Sequence, residues 1–192
     1  MLLLILGLLI FFGTHSLRIF ADGWRTRQRE RIGAMRWKGL LSLVSLAGFV
    51  MVCWGFGLAR ANTFAVWSPP VWTRHLAALL VLFAFILLAA SSVPGTRIKA
   101  AIGHPMTLAV KVWALAHLLA NGTLADIVLF GSFLAWSIAT FASARRRDRA
   151  AGTVYPAMGI SRDLAAVAVG VVSWVIFARF LHLWLIGVSP MG

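Results

Sequence analysis

Cysteine and acidic residues are scarce in this chain. Its one cysteine, Cys53, excludes intrachain disulfides and cysteine-based metal clusters, and its place inside an apolar run makes a buried thiol the expected state. Charged residues make up only 12% of the 192 positions while 61% are hydrophobic, and mean hydropathy is +0.90, a balance that a soluble core of this size does not need. The apolar N-terminal segment lacks both a basic start and a small-residue cleavage site, and a dense basic stretch follows it. It therefore reads as an uncleaved membrane helix, with residue 1 in the mature chain. Internal repeats, low-complexity tracts and any stretch suited to a separate soluble domain are also missing, so residues 1–192 read as a single transmembrane domain.

What is present is a series of apolar stretches near the roughly 20 residues that a ~30 Å hydrocarbon layer requires. They lie near 2–20, 40–59, 75–93, 106–121, 125–143 and 164–187. The expectation is an all-α, polytopic bundle of about six transmembrane helices in three successive hairpins. Asn121-Gly122-Thr123 marks a tight turn, Ser68-Pro69-Pro70 breaks the second loop, and the fifth loop carries Tyr155-Pro156 between Gly152 and Gly159. Gly48, Gly55, Gly57 and Gly131 are the positions where helices would approach closely in lipid.

The net charge of +13 is distributed as an orientation signal and not as a nucleic-acid patch. The first loop holds Arg25, Arg27, Arg29, Arg31, Arg36 and Lys38, the third Arg97 and Lys99, and the fifth Arg145, Arg146, Arg147, Arg149 and Arg162. The second loop has only Arg60 and Arg74 at its edges, and the fourth loop and C-terminal tail have no Lys or Arg. Basic loops face the cytoplasm, so both termini are expected on the non-cytoplasmic side of a bacterial-type inner membrane. Trp24 and Trp37 on one side, and Trp67, Trp72 and Trp184 on the other, suit interfacial belts, and the basic loops suit anionic headgroups.

Ionisable side chains inside apolar spans are costly and are the first place to look for chemistry. They are His15, Lys111, His117, Asp126, Arg179 and His182, with His75 and His104 at helix starts. On the expected topology His15 and His104 lie toward the cytoplasmic face. His117, 13 residues after His104, lies ~20 Å further out and on the opposite helix face. Lys111 shares the face of His104, where it can meet an anionic group of a cofactor or lipid, or snorkel to the surface. Asp126 is expected to pair with Arg179, removing an unpaired buried charge. Each histidine also has a plain structural reading, in which the ring bonds a backbone carbonyl. For His104-Pro105 that reading is a helix boundary fixed by proline at the first turn.

Four segments together carry a family resemblance: His15-Ser16-Leu17-Arg18; Gly103-His104-Pro105-Met106; Leu115 to Gly122 around Ala116-His117; and Phe130-Gly131-Ser132-Phe133 followed by Arg145-Arg146-Arg147-Asp148. Over nearly the whole chain this order resembles the NnrU family, bacterial inner-membrane proteins associated with denitrification and with nitric oxide and nitrite metabolism. That family is similar in turn to plant zeta-carotene isomerase, a membrane enzyme that holds haem b through histidines and isomerises a double bond in an apolar lipid. The resemblance implies haem b here, with His15 and His104 as iron ligands, Ala116-His117 matching a further motif, and Lys111 or Arg18 near the propionates. By helical rise alone His15 and His104 start roughly 10 Å apart along the membrane normal, whereas two axial nitrogens come within ~4 Å of each other. Single ligation by His15 or by His104, or an outer site using His117, are the alternatives.

Two other classes compete. Membrane methyltransferases also place a His-Pro pair at a cytoplasmic helix entrance, to hold S-adenosylmethionine, usually with an arginine before the histidine and acidic residues in a later cytoplasmic segment. Here Gly103 stands in the first place and Asp148 and Asp163 in the second. A non-enzymatic scaffold is the third class. It leaves His15, Lys111, His117 and Arg179 with packing roles only.

Overall fold

The computed structural model describes residues 1–190. Among them the chain is all-helical, with no strand and one isolated antiparallel bridge, Ala65 to Thr123. The helices are α1 (Leu2–Phe20), α2 (Asp22–Ile32), α3 (Ala34–Ala61), α4 (Trp72–Ser92), α5 (Arg97–Ile102), α6 (Pro105–Ala120), α7 (Leu124–Ala151), α8 (Ile160–Ile176) and α9 (His182–Ile186). A single π turn, Phe177–Leu181, joins α8 to α9, so that Ile160–Ile186 runs as one 27-residue apolar helix.

Five helices, among the described residues, are long and apolar enough to cross a membrane: α1, α3, α4, α7 and the α8 to α9 run. The sixth apolar helix, α6, has 16 residues and hence about 24 Å of rise, short of the ~30 Å layer. The protein is a multi-pass membrane protein. Two helices occupy segments expected to be loops. Helix α2 is almost wholly polar and α5 has six residues, so hydropathy does not reveal either one.

Local chemistry explains the boundaries. Asp22 in the first turn of α2 and Arg29 and Arg31 in its last complement the helix dipole. Gly33, at φ 88°, turns the chain into α3. The Thr96 hydroxyl accepts the Lys99 N–H at 3.1 Å and caps α5, and α6 starts with Pro105 at its first position behind His104. Thr123 and Asp126 form a reciprocal capping box at the head of α7. Asp126 Oδ2 accepts from Thr123 N (3.1 Å) and Oγ1 (2.6 Å), and Asp126 N donates to Thr123 Oγ1 (3.2 Å). The buried Asp126 carboxylate is thus satisfied within its own helix end.

The chain divides into two compact units. One comprises residues 1–66 with 123–132, the other 67–122 with the chain from 133 onward. In the first, α1 and α3 form an antiparallel hairpin locked by glycine. A Cβ on Gly7 would lie 2.7 Å from Val52 N, one on Gly48 would lie 2.9 Å from Phe11 N, and one on Gly55 would collide with the Leu4 backbone. Gly57 and Gly131 have open space where a Cβ would stand, so they do not share this role. Buried Gly48, Val52, Gly55 and Ala59 define the inner stripe of α3, and Cys53 falls outside it, exposed on the lipid side and not buried as expected. In the second unit, α4 packs on α6 and α8, with Gly170 against the Ile86 backbone. The basic loops of that unit are tied by Met158 N to Gly95 O (2.8 Å) and by Ile98 N to Asp163 Oδ1 (3.2 Å).

Candidate functional site

His15 stands in the last third of α1 in the first unit. Its Nδ1 bonds the Phe11 carbonyl at 2.8 Å, one helical turn back, and its ring lies 4.2 Å from the Phe11 ring. Donation from Nδ1 to a carbonyl makes Nε2 the basic nitrogen, the arrangement that orients imidazoles toward iron or zinc. The ring borders a groove of about 610 Å³ whose wall includes Thr14, Arg25, Arg29, Lys38 and Ser42. Arg25 and Arg29 are one turn apart on α2, so the helix that hydropathy missed brings two cations to this histidine. Arg18, expected near a cofactor carboxylate, is exposed in the last turn of α1 and is not part of that wall.

His104 belongs to the second unit. Its Nε2 lies 2.8 Å from Asp148 Oδ2, and the same oxygen accepts the Tyr155 hydroxyl at 3.1 Å. The three side chains come from the entrance of α6, the end of α7 and the following loop. Gly103, at φ 80°, lets them close up, since a Cβ there would sit 2.9 Å from Arg145 Nη1. Burial, the hydrogen bond to Asp148 and the charge of Asp148 push the Tyr155 phenol above its ordinary pKa, while Arg145 pulls it down. On the same face of α6 the Lys111 ammonium lies 4.5 Å over the Phe141 ring, whose other contact is the edge of His104 at 6.3 Å. Lys111 thus has an aromatic partner in the apolar zone.

His117 points its Nδ1 at the Trp113 carbonyl (2.8 Å) and stacks obliquely on Trp113 at 5.0 Å. His182 Nδ1 bonds Val188 O at 2.6 Å, and His75 is exposed on α4. His15 thus lies in one compact unit, and His104, Lys111 and His117 lie in the other. Among the described residues no group of three or more His, Cys, Asp or Glu side chains is assembled as a metal site.

Residues 3–190 match the family described as NnrU protein. The chain belongs to the NnrU family. No curated protein and no solved structure matches it. The pairing of His104 with Asp148 and Tyr155, and the approach of Arg25 and Arg29 to the groove of His15, enter through the structure. Asp148 was legible in the sequence as the acid beside the arginine run and in the methyltransferase comparison, but not as the partner of His104. Tyr155 had no signal beyond its place before Pro156.

Proposed function

We propose that this NnrU protein binds haem b at the basic end of the α1 to α3 hairpin, where His15 would hold the iron, and serves nitrogen-oxide metabolism in a bacterial inner membrane. The observation that carries the reading is the His15 ring, fixed through Nδ1 on the Phe11 carbonyl beside a cationic groove. Two features fit a haem. The groove has the size of an ordinary cofactor pocket, and Arg25, Arg29 and Lys38 are suited to two propionates. Bound there, haem b would supply a one-electron couple and an iron site for a small ligand. The protein's own part is to hold the imidazole with Nε2 basic and to neutralise the carboxylates. His104 fits less directly, because Asp148 engages its Nε2 and an iron there would have to take Nδ1 or displace the carboxylate. Redox-dependent isomerisation of an apolar lipid draws on the same haem, and nitric oxide binding to the reduced protein separates the two roles.

The test is the visible spectrum, oxidised and dithionite-reduced, of protein purified from haem-replete cells, beside His15→Ala, His104→Ala and His117→Ala. A Soret band that shifts on reduction, is lost in His15→Ala and survives in His117→Ala supports the reading. A colourless wild type, or a Soret band unchanged in His15→Ala, overturns it.

A second reading has its own observation. In methyltransferases with a His-Pro entrance, an arginine before the histidine and a later acid complete the S-adenosylmethionine site. Here Asp148 meets His104 at 2.8 Å, and the Arg145 guanidinium stands beside Gly103 where that arginine would be. S-adenosylmethionine binding by calorimetry, abolished in Asp148→Asn, supports this alternative, and no heat of binding rejects it.

A further inference from the structure

A second groove in the first unit takes no part in the haem reading. It runs along α1 from Ile5 past Phe12 and Gly13 to Ala21, with Val128 and Ser132 of α7 forming the opposite wall. Only two of its lining side chains, Ser16 and Ser132, are polar. Its volume is about 410 Å³. That is the size of an ordinary small-ligand groove, enough for an apolar chain. The sixteen helical steps from Ile5 to Ala21 give a length of about 24 Å. An apolar volume spread over such a length has the shape of an extended chain lying along α1.

The basic end of the groove indicates which kind of chain. Ala21 is its last lining residue, and α2 follows at once with four arginines against Asp22 and Glu30. Arg25 is paired with Asp22 at 3.2 Å and, with Arg29, lines the His15 groove. Arg27 and Arg31, four residues apart, share the opposite face of α2 and have no ion pair among the described residues. An apolar groove whose last residue leads straight into an arginine-rich helix is complementary to a lipid with an anionic head. Gly13 keeps the slot open, because a Cβ there would meet nothing within 4 Å.

We infer that this groove is a binding site for one acyl chain of an anionic phospholipid, whose phosphate is held by Arg27 and Arg31. The site is independent of haem and of His15.

The experiment counts retained lipids by native mass spectrometry after the full-length protein is extracted from vesicles of phosphatidylglycerol and phosphatidylcholine in equal amounts. The wild type is expected to keep one phosphatidylglycerol. Gly13→Phe fills the slot without meeting protein atoms near its Cβ, and exclusion of two or three methylenes should lower retention about tenfold to a hundredfold. Gly13→Ala should retain the lipid. Ser132→Phe plugs the slot from the other wall and serves if Gly13→Phe does not purify as a folded species. Arg27→Glu with Arg31→Glu should abolish the preference for phosphatidylglycerol. No retained lipid, equal retention of phosphatidylcholine by the wild type, or retention unchanged by both plugs overturns the inference.

Discussion

Tyr155 is the only tyrosine in the chain, so its ionisation can be followed in the intact protein as phenolate absorbance in the near ultraviolet. Its hydroxyl donates to Asp148 Oδ2 at 3.1 Å, an oxygen that also holds His104 Nε2 at 2.8 Å. Burial raises the phenol first, and the bond to Asp148 and the carboxylate charge raise it further. The phenol should therefore ionise above the ordinary tyrosine value in the wild type and lower in Asp148→Asn, which keeps an acceptor but removes the charge. A group whose pKa is raised on folding stabilises the fold below its unfolded pKa, and that stability is lost as pH rises through the folded value. Tyr155→Phe should accordingly cost about 1 kcal/mol at neutral pH, the low end for a bond to a charged acceptor that is partly exposed. The difference should close above the wild-type phenol pKa. A phenol titrating at the ordinary value, or one that Asp148→Asn does not lower, would refute the cluster as described.

Two further outcomes test the fold. Gly7→Leu drives side-chain atoms into the Val52 backbone and should cost about 1–3 kcal/mol or more, whereas Gly57→Ala, facing open space, should be neutral or stabilising by up to about 1 kcal/mol. Reversible unfolding in mixed micelles measures both, and equal effects would contradict the hairpin register. Asp126→Ala removes the capping box and should cost about 1–2 kcal/mol in the same assay, while Arg179→Ala should leave the head of α7 untouched.

The spans were legible because lipid imposes a rule that sequence cannot evade: every stretch in the hydrocarbon layer must be apolar and helical. The starts of α1, α6 and α7 fall within a residue of where hydropathy and Pro105 put them. The early start of α3 at Ala34 was hidden because its first turns carry Arg36 and Lys38, and α2 was hidden because a surface helix of charged residues has no apolar period to find. Asp126 shows a signal that was missed. The Thr-x-x-Asp pattern that caps α7 was in the sequence, but the cost of a buried charge stood out and the capping box that satisfies it locally did not.

The site was only half legible, for a reason that concerns where polar groups find partners in a membrane protein. Histidines could be singled out because they are expensive in lipid. Their partners could not, because they lie in the basic segments outside it, where another charge is ordinary. His104 meets Asp148 across 44 positions of chain, and His15 shares a groove wall with Arg25 and Arg29 only because Ala21 turns the polypeptide into α2. In both cases the apolar helix supplies the imidazole and the polar segment beyond its end supplies the charge that orients or balances it. Substitutions of Arg25, Arg29 or Asp148 should therefore alter the histidine chemistry while leaving the spans intact. Substitutions of Gly7, Gly48 or Gly55 should do the reverse first, removing the hairpin that holds His15 in place.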